Sequence, residues 1–472
     1  MLEPGEASRF HIIMPRIQQA FYYGFVVAMV LCWSPSNVLA YLAPLAFLAV
    51  VIVLSYSDPV LRNSILILAG YVSIALTYNL LYSEYVFGNA IIALLTYGSF
   101  IPVLAIPNKY LGNERLFLRM GRIIAAFVVI QSLWGLVQAL YGLNQTGSFD
   151  LANGDFVEGT IHAALESERS FSNPMFAVNM AFLLLALVVR QHAYGRGKAL
   201  PFWLASLAFV VASVLHAIAF FLIALVSSYA LFRPTAISSR KLIRQKASVV
   251  AFLAVPVLAF LLLRTNVGTI AAIAHGALLQ QYPKTVVAER FISKVPQQYA
   301  FAPYVGLGPG QYTSRASFIG TGMYFGASRT GPQAQKLPLG AKSAPFSEHV
   351  EDLWLTWLRN PHWGSTQGPH SSWTSLLSET GLLGVCLLML VGTGLFFRLR
   401  RAAHDRRTRV LAFAVSSGVV FLFLLGFQEN YWEVTQAIFP GVLILKVLYA
   451  CLVYPAQRGN SVPQALVSAK QP

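Results

Sequence analysis

A histidine and a glutamate in the last third of the chain are the residues with the most chemical promise. His370 lies in the run Gly-Pro-His-Ser-Ser-Trp, and Glu379 follows near the start of an apolar segment. A histidine with an ordinary pKa near ~6.5 can take a proton from a hydroxyl group at neutral pH. Glu379 could orient that imidazole or be the base itself, and a purely structural histidine is the ordinary alternative. A catalytic role for His370 is favoured over a structural one by the basic residues that precede it in the same stretch. These are Arg264, Lys284, Arg290, Lys294, Arg315 and Arg329.

A glycine-rich turn comes just before one of these cations. The run Val-Gly-Leu-Gly-Pro-Gly-Gln-Tyr at 305–312 holds Gly306, Gly308 and Gly310, and Arg315 follows at once. Glycines allow the backbone to approach a ligand closely, because they have no side chain and adopt unusual dihedral angles. A plain surface turn is an equally good interpretation of the same residues.

Two helices are predicted beside the turn. The first, at 284–296, carries Arg290 and Lys294 four residues apart, and like charges at that spacing repel unless an anion lies between them. A bound phosphate would supply one. The second, at 346–358, has an aromatic face that includes Trp354 and could lie in the membrane interface or pack on the protein.

Composition places these residues in a membrane protein. Of 472 residues, 56% are hydrophobic and only 11% are charged, whereas soluble domains have about a quarter charged. This excludes a cytosolic enzyme and a disordered scaffold. The three cysteines, Cys32, Cys386 and Cys451, all fall in apolar stretches, so neither a disulfide framework nor a zinc site is indicated.

Apolar segments predict an all-α polytopic protein, because a membrane span needs about 20 apolar residues. Twelve are predicted, at 17–34, 37–56, 63–83, 89–107, 123–143, 173–190, 200–215, 217–232, 247–263, 374–397, 410–427 and 434–454. The first is expected to be a retained span and not a signal peptide. The chain therefore divides into helices at 1–263, a long loop at 264–373, and helices with a tail at 374–472.

Charge distribution predicts the orientation. Most Lys and Arg residues fall in the segments on the same side as both termini, which is therefore expected to be the cytoplasmic side. The same asymmetry accounts for the net charge of +16 without a nucleic-acid partner. The loops at 144–172 and 264–373 then lie outside, as does the short last turn, where Glu429 and Glu433 are expected to be solvated unless they contact a ligand.

The motifs together resemble the superfamily of O-antigen ligases and Wzy-type polysaccharide polymerases. The resemblance rests on the Gly-x-Gly-Pro-Gly turn, the long outer loop, and a histidine followed after eight residues by Glu-Thr-Gly-Leu-Leu-Gly, as His370 and Glu379 stand here. The motifs that carry the resemblance fall within about residues 284–390. The segment Arg-Ser-Phe-Ser-Asn-Pro that begins at Arg169 also resembles the family's entrance to a helix.

That resemblance implies an inverting glycosyltransferase of the GT-C type that needs no metal or other cofactor. The donor would be an undecaprenyl-diphosphate-linked glycan at the periplasmic face of a bacterial inner membrane, with a chain-length regulator or flippase as protein partners. His370 matches the family histidine, and Arg290 matches the arginine ahead of the turn. The other residues assigned to the substrate are Arg169, Arg264, Lys284, Lys294, Gly308, Gly310 and Arg315.

The sequence departs from the family pattern at two places. Ser371 follows the histidine where asparagine is common, and His216 with Ala217 stands where the family commonly carries Ser-Arg. The missing arginine removes one expected contact to the diphosphate.

Three functions stay open. The long loop and the Gln-Tyr-Thr-Ser-Arg continuation of the turn favour a polymerase, which joins lipid-linked repeat units. A ligase would transfer the glycan to lipid A core instead. A transporter of lipid-linked oligosaccharide would need charged residues along the bundle at mid-membrane depth, and the spans offer few.

Overall fold

The computed structural model describes residues 4–146, 157–162, 173–233, 282–322, 327–328, 331–332, 340–359 and 368–454. Within these ranges the chain is helical, apart from one antiparallel pair of two-residue strands, β1 (Ala327–Ser328) and β2 (Gly331–Pro332). The predicted all-α class is therefore confirmed.

In the described residues before the long loop the helices are α1 (Pro4–Cys32), α2 (Asn37–Ser55), α3 (Asp58–Leu81), α4 (Phe87–Thr96), α5 (Ile101–Ala105), α6 (Glu114–Thr146), α7 (Asn173–His192), α8 (Ala199–Val211) and α9 (Leu215–Phe232). The described part of the loop contains α10 (Pro283–Ser293), α11 (Val295–Gln298), α12 (Ala302–Val305), α13 (Arg315–Gly320), α14 (Ala344–His349) and α15 (Glu351–Arg359). The described residues after the loop contain α16 (Ser372–Ala402), α17 (Arg406–Gln428) and α18 (Thr435–Val453). Short 3-10 turns occupy Gly98–Phe100, Asn108–Tyr110, Gly159–His162 and Tyr431–Glu433.

The predicted count of twelve membrane spans is not confirmed by the residues that the structure describes. In the described ranges, eight helices are long and apolar enough to cross a membrane, or nine if α4 and the Gly98–Ala105 segment form one span bent by 53°. The predicted helix at 247–263 lies outside the described residues. Helix α8 has 13 residues, about 20 Å at 1.5 Å per residue, which is shorter than the hydrocarbon core.

Helix α18 forms the centre of the bundle. In its most apolar stretch 89% of the residues are buried, and 78% are buried in α7, which packs against it. Only 6% are buried in α3 and 11% in α16. These two helices therefore lie at the periphery, with most of their apolar side chains exposed to whatever surrounds the bundle.

The interhelical loops collect at two ends of the bundle. At one end the salt bridge between Arg407 and Glu114 (3.0 Å) and the hydrogen bond from Asn113 to Gln18 (2.6 Å) join α1, α6 and α17. We call the opposite end, where α10–α15 lie, the site end. The contacts that assemble it include Thr160 to Trp33, Asn173 to Ala212, His216 to Tyr431 and Val86 to Gln311.

Both predicted loop helices exist. The first spans α10 and α11. The second is broken at Val350 into α14 and α15, and Trp354 lies buried in the loop core with its ring centroid 4.2 Å from that of Phe318. The aromatic face around Trp354 therefore packs on protein, which was one of the two interpretations of its pattern.

Candidate functional site

His370 lies at the site end, immediately before α16. Ser371 caps that helix by accepting a hydrogen bond from the Thr374 amide at 3.1 Å, so the histidine leaves the helix at a fixed angle. Its side chain is 11% exposed. The rings of three aromatic residues surround the imidazole, with centroids 5.2, 5.8 and 5.7 Å from its own, and they belong to Phe318, Trp354 and Trp357.

Glu429 is the carboxylate that meets this imidazole. Its Oε1 atom is 3.7 Å from Nε2 of His370, within ion-pair range and slightly longer than a hydrogen bond. The Glu429 carbonyl accepts hydrogen bonds from the Ser372 amide (3.1 Å) and hydroxyl (2.9 Å). The turn after α17 is thereby tied to the start of α16, and both side chains are held in place.

Electrostatics favour a neutral imidazole next to an ionised carboxylate. Burial lowers the pKa of His370 below its usual value, partly offset by Glu429. Burial alone would raise the pKa of Glu429, but the interaction with His370 and the charges of Lys284 and Arg315 outweigh it and lower that pKa to about 2. An ionised Glu429 beside Nε2 favours the tautomer with hydrogen on Nε2, which leaves the lone pair of His370 on Nδ1.

Two cations adjoin this pair. Lys284, in the first turn of α10, is buried, and its Nζ atom donates to the Gln428 carbonyl at 2.6 Å. Burial, partly offset by Glu429, lowers the pKa of Lys284 to about 8. Arg315 begins α13, and its charge acts on both His370 and Glu429. His370, Glu429, Lys284 and Arg315 therefore interact electrostatically, and we call these four residues the cluster.

Several polar atoms of this cluster are buried without a hydrogen-bond partner among the described residues. They are Nδ1 of His370, Nε2 of Gln428 and Oε1 of Glu433. Buried polar atoms nearly always have partners, and an unpaired group costs roughly 1–3 kcal/mol. Three such atoms near the turn at 428–434 leave hydrogen-bonding capacity at this place in the described structure.

Arg290 and Lys294 lie apart from the cluster. Both terminal nitrogens of Arg290 bind the Asp352 carboxylate, at 2.7 and 2.9 Å, and one also donates to the His349 carbonyl at 2.8 Å. Lys294 is exposed at the end of α10. The anion beside Arg290 is thus a carboxylate of the chain, and the assignment of Arg290 to a diphosphate stays a prediction.

Glu379 lies in α16, and its carboxylate contacts the glycine turn and Tyr97. Its Oε1 atom accepts the Gly310 amide at 2.6 Å, and its Oε2 atom accepts the Tyr97 hydroxyl at 3.4 Å. Neither contact involves His370. The carboxylate that meets the imidazole is Glu429, and the structure therefore gives no support to Glu379 as its orienting partner.

The glycines of the turn have dihedral angles that other residues rarely adopt, with φ of +90° at Gly308 and +78° at Gly310. A Cβ atom would lie 2.6 Å from the Tyr85 ring at Gly308 and 2.5 Å from the Asn89 carbonyl at Gly310. Close packing on the protein accounts for both glycines. Arg169, Arg264 and Arg329 lie outside the described residues.

The residues that sequence reasoning undervalued are in the turn at 428–434. Glu429 and Glu433 were expected to be solvated, but Glu433 is fully buried and the Glu429 side chain is only 19% exposed. The available signal was two carboxylates in one short turn between two spans that are otherwise almost free of acidic residues.

Comparison with known proteins gives no match for this chain: no family model, no curated protein and no solved structure matches it. The function is therefore argued from the geometry of the site and from the motifs that the sequence carries.

Proposed function

We propose that this chain is a membrane glycosyltransferase that moves a glycan from a lipid-linked diphosphate to a hydroxyl group of an acceptor. The observation that supports this most is the buried cluster in which His370 and Glu429 adjoin Lys284 and Arg315. Such a transfer needs a base for the acceptor and positive charge for the leaving group. The cluster contains side chains suited to both tasks.

The base step uses the unpaired nitrogen of the histidine. Nδ1 of His370 takes the proton of the acceptor hydroxyl as the oxygen attacks the anomeric carbon of the donor sugar. The bond from that carbon to the diphosphate oxygen breaks, its electron pair leaves with the diphosphate, and the configuration inverts. Glu429 stabilises the imidazolium that forms. General-base help of this kind contributes roughly 10²–10⁴ in rate.

The cations act on the leaving group. Negative charge on the diphosphate grows as the bond breaks, and fixed positive groups in a partly dry site stabilise it more than water would. Arg315 contributes a planar guanidinium group, which suits phosphate oxygens. Lys284, with a pKa of about 8, is mostly charged at neutral pH. Both lie within electrostatic range of the His370–Glu429 pair.

The membrane context supports a lipid-linked donor on the outer face. By the positive-inside rule, loops rich in Lys and Arg stay in the cytoplasm. Basic residues concentrate at the end of the bundle opposite the site end, so we infer that the site end faces the periplasm. Those in the described loops and helix ends include Lys109, Arg115, Arg119, Arg122, Arg196, Lys198, Arg400, Arg401, Arg406, Arg407 and Arg409.

The acceptor is inferred from the length of the loop and the continuation of the glycine turn, which favour a polymerase over a ligase. Purified protein is incubated with undecaprenyl-diphosphate-linked repeat units alone, and in parallel with added lipid A core. Elongated lipid-linked glycan in the first reaction supports a polymerase. Product only in the second reaction identifies a ligase. Product in neither reaction contradicts the proposed glycosyltransferase function.

His370 gives the sharpest test of the chemistry. We expect His370→Ala to lower turnover by roughly 10²–10⁴ while the protein still purifies as a folded species in detergent. The matched control is His349→Ala, which removes a histidine of the same loop whose side chain contacts Glu348 instead of the cluster. Normal turnover by the His370 variant would exclude a base at this position.

A further inference from the structure

The short segment from Gly310 to Arg315 is fixed at both ends by buried carboxyl groups from different parts of the fold. Glu379, 2% exposed, comes from α16, and Glu433, fully buried, comes from the 3-10 turn between α17 and α18. Each accepts a backbone amide. Glu379 accepts the amide of Gly310 at 2.6 Å, and Glu433 accepts the amide of Arg315.

The middle of the segment is held from the same two elements. The Thr313 carbonyl accepts hydrogen bonds from the Asn430 side chain at 2.9 Å and from the Ser375 hydroxyl at 3.1 Å. Asn430 precedes the 3-10 turn, and Ser375 lies one turn before Glu379 in α16. Three consecutive anchors therefore define the path of the backbone up to the arginine.

Carboxyl groups are costly to bury unless hydrogen bonds compensate them. Here the compensating hydrogen bonds come from backbone amides. They therefore fix the position of the Gly310–Arg315 backbone as well as the orientation of the two glutamate side chains. Burial and the neighbouring Glu379 raise the pKa of Glu433 well above its usual value. A protonated carboxyl group still has an oxygen that accepts an amide hydrogen bond, so such a contact does not need the negative charge.

We propose that Glu379 and Glu433 are positioning residues that hold the Gly310–Arg315 segment and thereby direct Arg315 toward the diphosphate of the donor. They exchange no proton with the substrate. This inference rests on the proposed function, since it assigns to Arg315 the leaving group of that reaction. It also gives Glu379 a different role from the catalytic one that the sequence suggested.

Glutamine separates positioning from proton transfer, because its amide oxygen accepts the same backbone hydrogen bond but cannot take up a proton. We expect Glu433→Gln and Glu379→Gln to keep turnover within about threefold of the original protein. Glu433→Ala should raise the KM for undecaprenyl-diphosphate-linked donor by about tenfold, with a smaller change in kcat. The double variant Glu433→Ala/Arg315→Ala should lose no more donor affinity than Arg315→Ala alone, because both substitutions remove the same contact between Arg315 and the diphosphate.

The measurement is initial rate against donor concentration at fixed acceptor, with binding of undecaprenyl diphosphate alone as a second readout. If Glu433→Ala does not fold, the two glutamine variants still decide the question. Turnover abolished by glutamine at unchanged lipid affinity would overturn the positioning role, and so would additive losses. Normal kinetics of Arg315→Ala would instead contradict the proposed function, so the two failures are distinguishable.

Discussion

Nε2 of His370 and Oε1 of Glu429 lie 3.7 Å apart, at the point where α17 ends and α16 begins. The two residues are distant in sequence and meet because the Glu429 carbonyl accepts two hydrogen bonds from Ser372. Catalytic hydrogen bonds are often long in the absence of substrate and shorten when it binds. The spacing therefore fits a pair that tightens as the imidazole gains a proton.

The tautomer of His370 gives the first prediction. Glu429→Gln should lower kcat by on the order of 10²–10⁴, because its amide group can donate to Nε2 and favour the tautomer that carries hydrogen on Nδ1. Glu429→Ala should cost less, about 10–10², because it removes the partner without stabilising the wrong tautomer. Single-turnover rates of the two variants at saturating donor give the comparison.

The control for this pair is Glu289→Gln, which changes an exposed carboxylate on α10. It should leave the rate unchanged. Equal rates for Glu429→Gln and the original protein would mean that Glu429 does not select the tautomer. The contrast with Glu433→Gln is also informative, since the same chemical change is expected to be tolerated there.

The dependence of rate on pH gives the second prediction. As the proposed base, His370 acts only when it is neutral, and burial lowers its pKa, so activity should fall only below the ordinary histidine pKa of ~6.5. On the alkaline side, Lys284 loses its charge as the pH rises through about 8, and stabilisation of the leaving group falls with it. The profile of kcat/KM should be bell-shaped.

Lys284→Arg tests the assignment of the alkaline limb. Arginine stays charged beyond pH 12, so the alkaline limb should move to higher pH while the acid limb stays in place. An unchanged alkaline limb would mean that another group causes it. The measurement is kcat/KM from pH 5 to 10 for both proteins, with stability in detergent checked across the range.

The helices of the proposed site could be predicted from the sequence because their signals are local. The α10–α11 pair follows the apolar spacing of Val287, Phe291 and Val295, and all three side chains are buried. The glycine turn and the helix that starts after His370 are also local features. Each depends on residues within one or two turns of one another.

Pairings between distant segments could not be predicted in the same way. The partner of His370 comes from the far end of α17, and the partner of Arg290 from α15. Neither sequence separation nor residue type distinguishes Glu429 from Glu379 as the carboxylate at the imidazole. The choice is made by helix packing, which brings the turn at 428–434 against the first turn of α16.

The third prediction concerns the bidentate pair of Arg290 and Asp352, which joins α10 to α15. Because α15 carries Trp354 and Trp357 against the His370 ring, loss of either partner should loosen the loop and lower turnover a few-fold. The side chains are 20% and 59% exposed, so the pair is worth about 1 kcal/mol or less. Arg290→Ala, Asp352→Asn and the double variant should give similar, non-additive losses.

Asp352→Asn also separates two roles of Arg290. If the guanidinium binds the diphosphate, freeing it from its carboxylate should tighten donor binding. We expect weaker or unchanged binding, because the pair fixes the loop. A lower KM for the donor in Asp352→Asn would assign Arg290 to the substrate.

The fourth prediction uses the break in α16. Gly381 has a φ of +63°, and a Cβ atom there would lie 2.3 Å from the Tyr304 carbonyl carbon, so alanine can be accommodated only if the backbone that leads from α12 into the glycine turn moves. Gly381→Ala should therefore lower the thermal stability in detergent and abolish turnover. Gly394, in the same helix, has no atom within 4 Å of the corresponding position. Gly394→Ala is the matched control and should leave both properties unchanged. Normal turnover by Gly381→Ala would show that the close contact between α16 and the turn is not needed to position Arg315.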